Sequence, residues 1–240
     1  MESVRFPGES DQYRQARDEL LRAEIDLRQR VEAVAALRRR LPVGGIVPED
    51  YVFEEIAADG GEKSSVRKVT LSELFGPPRE TLLLYNFMYG PDMDAPCPMC
   101  TSLLDGLDGT APHVWQQVNF AVVAKSPIQR IQKFARSRGW RNLRLLSSAK
   151  NTYNRDYRGE SPEGDQNPVM NVFVRRAGKT HHFWATEMLW ADTEDGQDSR
   201  HVDMLWPLWN LLDLTPGGRG SDWYPELSYG RSRAAVRPSA

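Results

Sequence analysis

The sequence predicts an α/β fold, a central mixed sheet with helices on both faces, preceded by a long helix of its own. Three observations carry that prediction. An apolar, aromatic run from Leu82 to Met88, bounded by Pro77-Pro78 and Gly90-Pro91, reads as a buried strand. From there, strand-like and helix-like segments alternate, which favours a parallel sheet centre with helices packed on it. Ahead of them, Tyr13, Ala16, Leu20, Ala23, Leu27, Val31, Val34, Leu37 and Leu41 recur at steps of three and four, the period of one amphipathic helix.

The long helix opens at Ser10, a good N-cap, and stops at Pro42 with Gly44-Gly45 beyond. Its other face mixes arginines with Asp18, Glu19, Glu24 and Asp26, as a solvated face does. Residues 1–9 read as a loose arm. Tyr51–Ile56 and Val66–Val69 read as a short β-hairpin turning at Gly60-Gly61, with one helical turn at Glu73-Leu74-Phe75. After the strand at Leu82, a helix opens at Thr101 and is expected to break between Gly106 and Pro112. His113–Gln117 then reads as helical. Val118–Ala124 is an apolar strand, and Ile128–Arg138 is a helix with Gly139 as its stop. Leu143–Leu146 is a short strand, and Asn151–Asn167 a polar loop. Val169–Arg175 and Thr180–Thr186 pair through a turn at Ala177-Gly178-Lys179. Val202–Leu214 is helical with a kink or restart at Pro207. The domain reading is a helical arm over 1–42, a linker with a hairpin over 43–81, a main domain over 82–215 and a tail over 216–240. Trp223, Tyr224 and Tyr229 are the residues expected to hold that tail down.

Composition sets bounds. The chain has 240 residues, enough for one substantial domain with extensions, and a net charge of −2, so no global field draws it to nucleic acid. No apolar run approaches the roughly 18 residues of a membrane span, and Met1–Arg5 lacks an apolar leader core. A cytoplasmic protein is expected, without membrane or nucleic-acid partners. The helix over residues 10–41 needs something to cover its stripe, and a homodimer through it is the expectation.

The chemistry centres on Pro96-Cys97-Pro98-Met99-Cys100, which holds both cysteines of the chain. A pair at this spacing is a redox couple or half of a metal site. It stands where a strand hands over to a helix N-terminus. With Cys97 as N-cap, Pro98 falls at the first helical position, where its missing N–H costs nothing. Cys100 lies one turn on, within the roughly 4.4–6.8 Å between Cα atoms that a disulfide needs. Free N–H groups at the helix start favour a thiolate on Cys97, which makes it the nucleophile. Asp92 and Asp94 oppose this by repulsion, so a modest shift is expected. Cys100 is the expected buried, resolving thiol. A metal site would need more ligands, with His113, His181, His182 and His201 available, and none is assigned; no cofactor is expected either.

From residue 82 the order is β-α-β-α-β, a polar loop, a hairpin and a closing helix, which is the thioredoxin plan with its CxxC in the usual place. In detail the chain resembles the DUF899 family, described as thioredoxin-like, predicted dithiol–disulfide oxidoreductases. The residues carrying the resemblance, over about 82–219, are Tyr85-Asn86-Phe87-Met88-Tyr89-Gly90, Pro96–Thr101, Asp105-Gly106-Leu107-Asp108-Gly109, Pro112-His113 and Ser126-Pro127. Arg138-Gly139-Trp140, Ser147-Ser148, Tyr153-Asn154-Arg155-Asp156-Tyr157, His181–Trp184 and Leu212–Arg219 complete it. Thr101 stands where the family has Ser, and His182-Phe183-Trp184 where it has His-Thr-Tyr. Gln116-Gln117-Val118 replaces a Gln-Arg-Asp.

The resemblance implies a thiol–disulfide oxidoreductase acting on a protein or small-molecule disulfide, with Cys97 and Cys100 catalytic. It implies a cis Pro168 facing the CxxC. Pro98, Met99, Tyr153 and Tyr157 are the expected lining of the substrate cleft beside Pro168. His113 and His182 are candidates for assisting proton transfer, and Asp105 for capping a helix end. Two alternatives stay open: a peroxiredoxin-like thiol peroxidase, and a non-catalytic thioredoxin-fold binding or dimerisation module.

Overall fold

The computed structural model describes residues 4–57, 65–220 and 222–229. The expected turn at Gly60-Gly61 lies outside the described residues. The chain forms two compact units, Met1–Val43 and Gly44–Ala240.

The first unit is built on helix α1, Asp11–Arg39. Ser10 caps it, its Oγ accepting the Tyr13 N–H at 3.1 Å. Residues 4–9 are not a loose arm. Arg14 is buried, and its guanidinium donates to the Val4 carbonyl and pairs with Glu9 at 3.4 Å, folding the segment back on the first turns.

The second unit is a seven-stranded sheet in the order β2-β1-β5-β4-β3-β6-β7. The strands are β1 (Val52–Ile56), β2 (Val66–Thr70), β3 (Thr81–Asn86), β4 (Asn119–Ala124), β5 (Leu145–Ser147), β6 (Met170–Arg176) and β7 (Lys179–Ala185). Strands β3, β4 and β5 run parallel at the centre, and every other pairing is antiparallel. The hairpin β1–β2 is therefore no linker. It extends the main sheet, since Glu54 of β1 registers with Ser147 of β5. Residues 44–47 also belong to the sheet unit: Val47 N donates to Thr180 O at 2.9 Å and covers the β7 edge.

Two parallel crossovers in the same direction put helices α2 (Pro98–Val114) and α3 (Ile128–Arg138) on one face of the sheet. Strand alternation then sorts the core. Leu83, Tyr85, Phe120, Val122, Ala124, Leu145 and Met170 face α2, α3 and the closing helix α5 (Pro207–Asp213). Leu82, Leu84, Ala121, Val123, Leu146 and Phe173 face the other way, against Tyr51, Leu71, Leu74, Phe75 and Tyr153. That second face is covered by the short 3-10 turn Ser72–Leu74 and the four-residue α4 (Tyr153–Asp156), so the long helices share one side.

Helix α2 does not break between Gly106 and Pro112. Pro112 removes the N–H that would bond to the Asp108 carbonyl, yet that carbonyl accepts Asn142 Nδ2 at 3.0 Å instead. The Asp108 carboxylate fixes the same loop, its Oδ1 accepting the N–H groups of Arg141, Asn142 and Leu143 at 3.0, 2.8 and 3.1 Å. Asp105 does not cap a helix end. It accepts Trp140 Nε1 at 2.8 Å and pairs with Arg138, tying α2 to the end of α3. Pro207 does restart the helix, as the first residue of α5. Trp206 anchors that restart to α2, its Nε1 donating to Ser102 Oγ at 3.1 Å. In the described part of the tail, Trp223 stacks edge-on against Trp209 at 6.1 Å.

Candidate active site

The site begins with the path from β3 to α2. Beyond Asn86, Phe87 N still donates to Val123 O at 2.8 Å, so the chain leaves the sheet late. The next residues loop over 90–94, and two groups from the start of α3 hold that loop. Ser126 Oγ donates to Gly90 O at 2.9 Å. The Arg130 guanidinium donates to the carbonyls of Pro91 at 2.9 Å and Asp94 at 3.1 Å, and also to Met93, while lying 4.6 Å over the Tyr89 ring. With the loop so fixed, Cys97 N donates back to Met88 O at 3.0 Å. Cys97 is thus delivered as the N-cap of α2, with Pro98 at the first helical position.

At the cap, the backbone N–H of Cys100 points at Cys97 Sγ, 3.5 Å away. The Cys97 carbonyl accepts both the Thr101 N–H at 3.0 Å and the Thr101 hydroxyl at 2.9 Å, which holds the first turn closed. Both cysteines are free thiols; Cys97 is half-buried and Cys100 fully buried. The Cys97 thiol is lowered to about 6. A hydrogen bond from the Cys100 thiol contributes most, the N–H groups of Cys100 and Met99 add to it, and partial burial opposes them. Asp92 and Asp94 are not among the main influences. Cys100 goes the other way: burial pushes it well up, and the hydrogen bond to Cys97 and the Cys97 charge push it further. Two groups work against that rise, the Tyr85 hydroxyl first and the Met88 N–H second.

Tyr85 is a residue the sequence reading passes over as strand filling. Its ring is buried beneath α2, and its hydroxyl, buried without a hydrogen-bond partner, lies beside the Cys100 thiol. The period-2 alternation of Leu83, Tyr85 and Phe87 was the available signal, since it places a phenol on the face that meets the helix after the CxxC.

Pro98 and Met99 lie on the first turn and are partly exposed. Met99 also lines a cavity of about 390 Å³ with Trp209, Trp223, Tyr224, Arg200 and Arg219. The two arginines there are paired with Asp203 and Asp213, and Asp198 adds a further carboxylate, so aromatic rings share the wall with polar and charged groups. Pro168 stands just before β6, at the same end of the sheet as the cysteines: Asn86 N donates to Val169 O at 2.8 Å, and Met170 packs in the cysteine cluster. Its peptide bond is trans, not cis; the cis bond among the described residues is Pro77-Pro78. Asn167 meets its loop instead, its N–H donating to Gly159 O at 3.0 Å and its Nδ2 to Arg158 O at 3.2 Å.

Tyr153 and Tyr157 are not brought to the cysteines. They pack across the sheet with Tyr51, Phe53 and Phe173, because the loop after β5 folds onto the opposite face. Burial raises the Tyr157 phenol to about 12. His182 joins that side, its Nε2 2.9 Å from Asn171 Oδ1 and its ring 5.3 Å from those of Tyr157 and Phe173. His113 is exposed near the far end of α2, roughly 24 Å along the helix from Cys97 at 1.5 Å per residue. Neither histidine meets the thiols. Among the described residues no three His, Cys, Asp or Glu side chains cluster as metal ligands, and no helix is long and apolar enough to cross a membrane.

The fold is thioredoxin-like, and solved structures similar to it include peroxiredoxins. A reduced 2-Cys peroxiredoxin of Plasmodium vivax is 16% identical, with a TM-score of 0.44 over 71% of this chain and 96% of that one. A cysteine-to-serine mutant of peroxiredoxin Q of Xanthomonas campestris is 13% identical, with a TM-score of 0.43 over 70% and 97%. Peroxidoxin BcpB of Mycobacterium tuberculosis is 17% identical, with a TM-score of 0.41 over 70% and 96%. No curated protein matches the chain. A family model does match, over residues 4–234, and by it this chain belongs to DUF899, a family of bacterial proteins of unknown function.

Proposed function

We propose that the protein is a thiol–disulfide oxidoreductase in which Cys97 attacks and Cys100 resolves. The observation that carries this reading is the split between two adjacent thiols: Cys97 is lowered to about 6, while Cys100 is buried one turn on and raised. Such a split divides labour. The Cys97 thiolate attacks one sulfur of a substrate disulfide, forming a mixed disulfide and expelling the other half as a thiolate, which takes a proton from water. Cys100 then loses its proton and attacks Cys97 Sγ. The second substrate half leaves, and a Cys97–Cys100 disulfide remains. Two electrons have passed from the protein to the substrate, and an external dithiol returns them. The cavity beside Met99 offers room for the group the disulfide carries.

The test is a Cys100→Ser trap together with a redox titration. The single-thiol variant should accumulate mixed disulfides that dithiothreitol releases, while Cys97→Ser should accumulate none. The wild-type couple should titrate reversibly between roughly −270 and −120 mV, the span of known dithiol oxidoreductases. Cysteines that never pair in the titration would sink the reading. Peroxide consumed without any disulfide substrate, through a sulfenic acid on Cys97 that condenses with Cys100, would replace it with a peroxidase.

A further inference from the structure

Within its own unit, helix α1 leaves an apolar stripe uncovered. Tyr13, Leu20, Leu27, Val34, Leu37 and Leu41 are between 41% and 63% exposed. Their spacing is more specific than ordinary amphipathicity. Tyr13, Leu20, Leu27, Val34 and Leu41 recur every seven residues without a slip, and Ala16, Ala23, Arg30 and Leu37 follow at the complementary three-residue step, Arg30 being the one charged member. A sustained seven-residue repeat is the mark of a left-handed coiled-coil seam, because a straight helix would let a 3.6-residue stripe drift. The seam also mixes sizes, with alanine at two steps, Tyr13 and Arg30 at one each, and leucine or valine at the others.

Charge identifies the partner. Residues 11–26 carry five acidic side chains against three arginines, while residues 27–41 carry five arginines against one glutamate. A parallel pair would set the acidic halves together and the arginine-rich halves together. An antiparallel pair of the same helix sets each acidic half against an arginine-rich half. It also lets the alanines of one N-terminal half face the large residues of the other C-terminal half. A surface complementary to itself under a two-fold axis is what an isologous dimer requires.

We propose that residues 11–41 of two copies of this chain pair as an antiparallel two-stranded coiled coil. This assembly is independent of the thiol chemistry, so either can fail without the other.

The full-length protein should be a dimer by light scattering at micromolar concentration. Leu20→Glu with Leu27→Glu should make it a monomer whose Cys97 alkylation rate is unchanged, which shows the sheet unit still folded. Orientation is read by spin labels on Gln15→Cys and, separately, Gln29→Cys, in a Cys97→Ser, Cys100→Ser background. These two positions lie on the same side of the seam. In the antiparallel dimer the 15–15 distance should exceed the 29–29 distance by roughly 20–40 Å, given 1.5 Å of rise per residue. A monomeric wild type, a dimer that survives the double glutamate substitution, or equal distances at the two labels would each overturn the proposal. As a check on the charge pattern, Arg39→Glu with Arg40→Glu should weaken the dimer at least tenfold.

Discussion

The backbone N–H of Cys100 is aimed at the sulfur of Cys97, 3.5 Å away, so the residue expected to resolve the reaction also stabilises the nucleophile. Its thiol hydrogen acts in the same direction and is the larger influence. Each cysteine therefore sets the ionisation of the other, Cys97 downward and Cys100 upward.

Alkylation should expose that coupling. The rate at Cys97 should rise with pH through a midpoint near 6, rather than near the ordinary 8.5 of a thiol, so that about 90% is thiolate at pH 7. Cys100 should remain unlabelled until the protein is denatured. Cys100→Ala removes the thiol donor but leaves the N–H, so the Cys97 midpoint should move up by about a unit or more. Mass spectrometry finding Cys100 labelled first in the native protein would reverse the assignment of nucleophile.

Arg130 tests whether the loop before the CxxC sets the thiolate. Its guanidinium donates to carbonyls along 91–94, and nothing in the sequence marks it out from the other arginines of α3. Arg130→Ala should loosen the loop and the Cys97 cap that follows it. The Cys97 midpoint should rise and labelling at pH 7 should slow several-fold, while unfolding stability falls by about 1–3 kcal/mol. Arg130→Lys should not rescue the midpoint, because a single ammonium cannot span the separate carbonyls. An unchanged midpoint in the alanine variant would make Arg130 a matter of stability alone.

Much of this was legible in the sequence, for reasons that separate one part from another. Ile128–Arg138 forms where its apolar spacing and Gly139 put it, because period and stop signal are both local, and Gly139 takes the positive φ of 79° that ends the helix. The CxxC at a strand-to-helix junction is legible for the same reason. What is not local stays hidden. Gly106, Gly109 and Pro112 weaken a helix on their own, and the residue that repairs it, Asn142, is 30 positions away from Pro112 in the chain. Tyr153 and Tyr157 look like cleft residues by their place in the loop before Pro168. The side of the sheet on which that loop falls depends on partners such as Tyr51 and Phe173, and residue types do not declare it.

The repair of α2 is itself testable. Asp108 supplies a carbonyl to Asn142 and a carboxylate to three successive N–H groups. Asp108→Ala leaves those donors without their acceptor beside a core helix. It should destabilise the protein by about 2–3 kcal/mol in urea unfolding, with Cys97 labelling of the folded state unchanged. Asn142→Ala should cost less, about 1 kcal/mol, since it uncovers one carbonyl. A loss below about 0.5 kcal/mol for Asp108→Ala would mean that water serves the loop equally well.

Tyr85 should act on the second half of the reaction and not on the first. In the resting protein burial holds Cys100 protonated, and the hydrogen bond to Cys97 and the Cys97 charge add to it. Once Cys97 is tied into a mixed disulfide that charge is gone, and Cys100 must ionise inside a dry core to attack. The Tyr85 hydroxyl, buried beside Cys100 without a hydrogen-bond partner, is then the donor able to stabilise the forming thiolate. Tyr85→Phe keeps the ring and removes the donor. Formation of the mixed disulfide should keep its rate, while its resolution slows about 10–100-fold, the worth of one hydrogen bond to a charged group. The pH profile of resolution should also move upward, because the acid that must lose its proton has become weaker. Stability should hold or rise slightly, since a buried hydroxyl without a strong partner has been deleted. The measurement is a single-turnover time course in which mixed and intramolecular disulfides are separated by mass at several pH values. A Tyr85→Phe protein that resolves at the wild-type rate and with the wild-type profile would show that Cys100 ionises without help from the phenol, leaving Met88 N–H as its donor.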